Sequence, residues 1–277
     1  MASTELPSFD LVVATVDRVD QLGRLLASLG SQTHRRFRVM IVDQNEDDRL
    51  EKVVGDHPSL EVKHLRAVRG LSRARNAALA QVRADLVAFP DDDCVYPDDL
   101  LERVAHRFVE DAGLVGLTGR AVDARGRSSP SWARDAGPLT RENLWNRAIS
   151  FTIFLHSSVV KAVGQFDEEL GLGSGTAWSS GEETEYLVRA IDSGARIEYD
   201  PDLVVLHDDK ASTHSLGAPE GAGVGYILRK HDYPIRTVGK MFVRPLGGAL
   251  VALARGEGAR ARFHLATLRG RLRGYKS

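Results

Sequence analysis

Cysteine is almost missing from this sequence. Cys94 is the only one in 277 residues, so no internal disulfide can staple the fold, and a reducing cytoplasm is the expected compartment. The opening stretch, Met1 to Pro7, lacks the basic and apolar regions of a signal peptide. Net charge is nearly absent as well, at −1, so the overall balance names no partner and gives no reason to expect nucleic acid. Long apolar runs are missing too. The longest near the end, Leu246 to Ala254, is too short to cross a bilayer and Arg244 blocks its extension backwards, so no transmembrane helix is expected. No internal repeat is visible.

What is present is the mixture of a soluble globular chain, 43% hydrophobic and 27% charged, which excludes a disordered or collagen-like protein. The length suits one sizeable α/β core with an appendage. Phe9 to Thr15 and Phe37 to Asp43 read as buried strands, with Leu22, Leu25, Leu26 and Leu29 on one helical face between them. A strand at Leu60–Leu65, a helix at Ser72–Val82 and a strand at Asp85–Phe89 continue the alternation, which calls for a largely parallel sheet covered by helices. In such sheets ligands sit outside the carboxyl ends of the strands. The residues there are Thr15, Asp43 and Asp91 to Asp93.

Gly119 to Pro138 reads as loop or weak hairpin. Ile149–Leu155 suggests a strand, Ser157–Val163 a short helix, Gly181–Ser193 an amphipathic helix, and Arg196–Tyr199 and Leu203–His207 two further strands. From about Ala218 the pattern is helical and broken at Pro234 and Pro245. The expected division is a catalytic domain over 1–213, its nucleotide-binding half at about 9–93 and its acceptor half at 94–213, followed by a helical basic extension over 214–277.

Asp91, Asp92 and Asp93 follow a buried strand, and three adjacent carboxylates repel one another. A hard divalent cation, Mg²⁺ or Mn²⁺, relieves that repulsion and can also bind phosphate oxygens. A solvated acidic turn is the plain alternative, although Asp98 and Asp99 already suffice to cap the helix that follows.

At these residues the chain resembles the family 2 glycosyltransferases of the GT-A fold, over about Phe9 to His207. Ala14 to Arg18 is similar to the family's opening strand-end motif, without its usual proline and tyrosine. Ile41 to Asp43 resembles its second strand, Gly70 to Asn76 its Gly-x-x-x-Ala-Arg-Asn stretch, and Phe89 to Asp93 its Asp-x-Asp. The resemblance implies a Rossmann-like, mainly parallel sheet, with Thr15, Asp17, Asp43, Arg75, Asn76, Asp91 and Asp92 around a nucleotide sugar and Asp93 on the metal. It places a histidine after the last strand as a metal or diphosphate contact, here His207, whose isolated position also suits a structural role. Gly181 to Glu185 looks like the family's Gly-Glu-Asp motif, whose second acid is the general base. That position is Glu183, with Glu182 left open. A carboxylate within hydrogen-bond reach can accept the proton of an attacking sugar hydroxyl, whereas an acidic first helical turn needs no catalytic reason. Trp178 either stacks on an acceptor sugar or belongs to the core. Gly171, Gly173 and Gly175 follow no strand and are read as a flexible acceptor loop.

The implied reaction is inverting transfer from a UDP- or dTDP-sugar to a saccharide or lipid-linked saccharide acceptor, in cell-surface polysaccharide or glycolipid assembly. A sugar-1-phosphate nucleotidyltransferase is the rival, disfavoured because Val13 to Arg18 contains no glycine. A non-catalytic nucleotide-sugar-binding protein is the other, disfavoured by Glu182 and Glu183. Beyond about Arg229 basic residues greatly outnumber the two acids, Asp232 and Glu257. Arg255, Arg260, Arg262, Arg269, Arg271, Arg273 and Lys276 surround Phe263, Leu265, Leu268 and Leu272, a pattern that suits an interfacial helix at the inner face of a membrane. The alternative is a tail packed on the body or on a second subunit of a homodimer.

Overall fold

The computed structural model describes residues 5–129, 131–207 and 214–277, which form two compact units. The first unit takes in 5–69, 73–165 and 186–207, and the second 70–72, 166–185 and 214–277. The boundary expected near Thr213 lies outside the described residues.

In chain order the elements are β1 (Phe9–Thr15), α1 (Val19–Gly30), β2 (Phe37–Asp43), α2 (Glu51–Gly55), β3 (Val62–Arg66), α3 (Leu71–Leu79) and β4 (Leu86–Ala88). Then come β5 (Cys94–Val95), α4 (Leu100–Glu110), β6 (Gly116–Val122), β7 (Gly137–Pro138), β8 (Ile153–His156) and α5 (Ser157–Val163). The chain ends with α6 (Glu182–Asp192), β9 (Ile197–His207), α7 (His214–Lys230), α8 (Ile235–Ala254) and α9 (Gly258–Tyr275).

The first unit holds one mixed sheet in the order β3-β2-β1-β4-β8-β6-β9-β5, with β7 paired to β9. The long ladders are parallel. β1 pairs with β2 from Phe9 beside Phe37 to Thr15 beside Asp43, so these two strands finish level. β4 runs parallel to β1, with Ala88 beside Leu11. The apolar stripe of α1, Leu22, Leu25, Leu26 and Leu29, is fully buried among Phe9, Leu11, Val13, Val39 and Ile41. That burial, on the order of 2 kcal/mol for each leucine, fixes the helix on the sheet and leaves the strand ends to polar residues.

In the second unit α7 and α9 meet through small residues. A Cβ on Gly221 or Gly225 would overlap the carbonyls of Thr267 or Arg271, and one on Gly270 or Gly274 those of Ala218 or Ala222. Glycines four apart share a helix face, so backbone lies directly on backbone. This packing buries Ala261, Ala266, Gly270 and Gly274 of α9. Of its larger apolar side chains, Leu265 and Leu272 stay exposed.

The structure departs from the sequence reading in four places. β9 is one strand of 11 residues in place of two, and it stays paired to β6 across a register shift between Thr118 and Arg120. The segment read as loop from Gly119 starts inside β6, because Gly119 lets the backbone at Leu203 approach closer than any side chain would allow. The first residues of the strand expected from Ile149 form a 3-10 turn over Ser150–Thr152.

The fourth departure is α8, which continues through Arg244 and Pro245 for 20 residues. Proline removes the amide that would bond the carbonyl four residues back, here that of Met241. The Arg271 guanidinium of α9 donates to that carbonyl instead, so the break expected at Pro245 does not occur. The helix is therefore long and apolar enough to cross a membrane, by length and composition alone. The break at Pro234 does occur, where Asp232 takes a positive φ of 47° and Pro234 caps α8.

Candidate active site

In the first unit β1 ends at the buried Thr15, and the chain turns through Asp17 at φ 59°, a left-handed conformation that aspartate tolerates. The turn is held by neighbouring strand ends. The Asp17 amide donates to Asn45 Oδ1 at 2.8 Å, and Asn45 donates from its backbone and side-chain nitrogens to Asp43 Oδ1 at 2.8 and 2.7 Å. The second oxygen of Asp43 meets His64 Nε2 at 3.0 Å and Arg66 Nε at 3.4 Å. Asp43 has no solvent exposure, so its charge is spread over protein donors and holds the Asp17 turn through Asn45. Asp17 is exposed and pairs with Arg49 and Arg69 at 2.7 and 3.0 Å.

One strand further along the sheet, the three aspartates differ in partners and burial. Asp91 accepts from Arg75 Nη2 at 3.2 Å and from Ser150 Oγ at 3.0 Å. Arg75 is itself buried, with its guanidinium 5.9 Å from the Phe89 ring centre, and the neighbouring Asn76 of α3 is buried too. Asp92 is buried and Asp93 half-buried, and Arg18 Nη1 bridges them at 2.8 and 2.6 Å. Burial pushes the Asp92 carboxyl above its ordinary range, an effect the Arg18 charge only partly offsets. Burial also opposes the Arg18 charge, but the facing aspartates outweigh it and raise the guanidinium's affinity for its proton.

His207, the last residue of β9, brings Nε2 to 3.1 Å from Asp93 Oδ1 and stacks flat on Phe151, with ring centres 4.7 Å apart. Cys94 beside His207 in the β5-β9 register explains the approach: pairing the strands fixes the imidazole next to the residue before Cys94. Asp91, Asp93 and His207 each offer one ligand atom, and these atoms lie within 4.8 Å of one another. The grouping joins Asp91 to the two residues that the resemblance assigned to a metal. A separate cavity of about 550 Å³ lies at the opposite strand ends, lined by Leu6, Arg36, Asp85, Phe108 and His156 among others, and contains none of the motif residues.

The second unit carries the acidic motif. Gly181 has φ 90°, and a side chain there would run into Ile227 of α7; glycine thus lets α6 start against α7. Glu182, Glu183 and Glu185 occupy the first turn of α6, where the helix dipole favours anions. Glu182 is buried against Gly171, and Glu183 is half-buried. Ser72 Oγ donates to the Leu170 carbonyl at 2.7 Å, tying the glycine loop that was read as flexible. Trp178 stacks on Tyr226 of α7, with ring centres 4.9 Å apart and planes at 11°.

Four participants were not singled out from the sequence. Arg18 was visible in its motif but its partners were not, and Asn45 and Ser150 carried no signal. Glu185 was legible, since it follows Glu182 by three positions on one helix face. It has no exposure and pairs with Lys230 Nζ at 2.9 Å and His231 Nε2 at 3.1 Å, anchoring α6 on α7.

Residues 10–160, more than half of the chain, match the family described as glycosyl transferase family 2. The chain belongs to glycosyl transferase family 2. It is similar to the pre-mycofactocin glycosyltransferase of Mycobacterium tuberculosis, 28% identical over 94% of this chain and 56% of that protein. It therefore spans little more than half the length of that relative. Glycosyltransferase AglE of Haloferax volcanii is 23% identical over 82% of this chain and 75% of its own length. Among solved structures, the mannosyltransferase PcManGT from Pyrobaculum calidifontis, in complex with GDP-Man and Mn²⁺, superposes with a TM-score of 0.67. That match covers 97% of this chain and 88% of the other at 15% identity. S. aureus TarS in complex with UDP-GlcNAc gives a TM-score of 0.62 over 94% and 90%, at 17% identity. The α/β architecture of this family 2 chain is the GT-A fold, with additional C-terminal helices.

Proposed function

We propose that this chain moves a sugar from a nucleotide-diphosphate donor to an acceptor hydroxyl, with inversion at the anomeric carbon and with help from a divalent cation. The observation that carries the reading is the convergence of Asp91, Asp93 and His207 at the strand ends of a family 2 chain. Two carboxylates and an imidazole are a donor set that suits Mn²⁺ or Mg²⁺, the imidazole favouring Mn²⁺. Asp93 and His207 would hold the ion, with Asp91 joining them or facing the donor sugar. When bound, the cation supplies charge neutralisation at the departing diphosphate.

The chain's own residues do the rest. Arg18 keeps Asp92 and Asp93 in place. Thr15, Asp17, Arg75 and Asn76 surround the nucleotide sugar, and Asp43 holds the Asn45 turn beside it. Glu183 accepts the acceptor proton as the hydroxyl attacks; its greater exposure supports it over Glu182, whose burial against Gly171 suits a positioning role. Trp178 already has one face covered by Tyr226, so a sugar would use the other. A saccharide or lipid-linked saccharide is the acceptor, in cell-surface assembly on the cytoplasmic side. We further propose that the catalytic part ends near Thr213.

Calorimetry with UDP, dTDP and GDP, each with and without Mn²⁺, tests the reading, with hydrolysis of the corresponding nucleotide sugars as the turnover measurement. One nucleotide is expected to bind tightly only with Mn²⁺, and Asp93→Ala to abolish both binding and hydrolysis. Equal affinity with and without Mn²⁺ would remove the metal from the proposal. Binding of every donor without hydrolysis or transfer would favour a non-catalytic nucleotide-sugar-binding protein.

A further inference from the structure

Helix α8 commits only one face to the second unit. Val238, Met241, Pro245, Ala249 and Ala252 are buried, and three contacts fasten this side to α9. His264 packs on Gly248, the Arg271 guanidinium reaches the Met241 carbonyl, and Phe242 meets Tyr275 edge-on with ring centres 5.8 Å apart. Another face is apolar and open. Ile235, Val243, Leu246, Leu250 and Leu253 are between 44% and 77% exposed. At 100° per residue they fall within an arc of about 80°, along roughly 27 Å of helix.

Scattered exposed leucines are ordinary on a protein surface, but five in one strip form a patch that calls for a partner. The adjoining arc holds Arg236, Lys240 and Arg244, all exposed on successive turns, and α8 contains no Asp or Glu. From Arg229 to the end the chain carries twelve Lys and Arg against two acids. Arg260, Arg262, Arg269 and Arg273 of α9 are exposed as well.

This arrangement selects among occupants. A second copy would bring the same cationic stripe against itself in a two-fold contact, where like charges repel. A full span would carry Lys240 and Arg244 into hydrocarbon, with Arg236 at its end, together with the α9 contacts on its other side. An anionic bilayer surface satisfies both arcs, since the apolar strip enters the headgroup boundary while the cations meet lipid phosphates. We propose that α8 is a membrane-docking helix, lying in the interface of a bilayer that contains anionic lipid. The docking element is thus α8, and the α9 residues Phe263, Leu265, Leu268 and Leu272 are not needed for it. The proposal stands independently of the transfer chemistry.

Co-sedimentation of the full chain with vesicles tests it, using phosphatidylcholine alone and phosphatidylcholine with about a third phosphatidylglycerol. Binding is expected to the anionic vesicles only. Leu246→Gln with Leu250→Gln should lower the partition coefficient about tenfold or more. Neutralising Arg236, Lys240 and Arg244 to Gln should lower it on the order of a hundredfold. All five positions are exposed, and circular dichroism melting checks that the fold persists. Binding that survives the leucine changes but not the charge changes would mean plain electrostatic adsorption and overturn the proposal. So would resistance to alkaline carbonate extraction, which would indicate a span, or a dimer dissociated by the leucine changes without any vesicle binding.

Discussion

Asp92 is a carboxylate whose burial opposes its charge. Its folded pKa is raised by burial, so the folded chain holds the proton more tightly than the unfolded chain does. Stability from this group is therefore present at low pH and lost as pH climbs from the ordinary carboxylate range, roughly pH 4, through the raised value. At neutral pH the ionised, cation-free group destabilises. Asp92→Asn is expected to raise the melting temperature at pH 7 in EDTA by a few degrees, about 2–4 °C per kcal/mol at this size, with no gain below about pH 4. Calorimetric scans at both pH values check this, and a lower melting temperature at pH 7 would show that the Arg18 ion pair dominates. Glu183 gives a second test at this scale. Removing a proton acceptor while nearly keeping its shape, Glu183→Gln should cut transfer by roughly 10²-fold or more and leave nucleotide affinity unchanged. If the variant transferred well and Glu182→Gln did not, the base would be Glu182.

The element scale is where one proline and one arginine explain each other. Pro245 leaves the Met241 carbonyl without its helical partner, and Arg271 fills the vacancy from α9 at the expense of being buried, which pushes its own pKa down to about 10. Arg271→Leu leaves a buried carbonyl unbonded and should cost about 1–3 kcal/mol. In a Pro245→Ala background the amide returns and serves that carbonyl, so the same change should cost distinctly less. Urea unfolding of the four chains measures the coupling, expected at roughly 0.5–3 kcal/mol; additive effects would show that Arg271 acts through packing alone. The proline signal in the sequence was real. What it lacked was the helix alongside, because a residue 26 positions further on has no periodic relation to Pro245.

At the scale of the whole molecule, the sequence determined what depends on neighbours along the chain. Alternation of buried strands with amphipathic helices follows from side-chain period, so β1, β2, α5 and α6 were legible with nearly their observed limits and α1 by its apolar face. The strand ends at Thr15, Asp43 and Asp91 to Asp93 were legible too, because ligands of such sheets sit outside the carboxyl ends of the strands, while the motifs themselves were read from the family resemblance. The paired strands Arg196–Tyr199 and Leu203–His207 were not separable from one long strand, because their continuity depends on β6. Tertiary structure alone decided which partners each aspartate meets. Asp91, Asp92 and Asp93 are equivalent by composition, yet Ser150, Arg18 and His207 arrive from distant elements and give each a different set of partners, with Arg18 shared by Asp92 and Asp93. It also decided which helix keeps an apolar face: the sequence drew attention to α9, but close glycine packing on α7 engages α9, while α8 keeps its row of exposed leucines. Hydrophobic period tells that a face wants cover, and only the packing partner determines whether another helix supplies it.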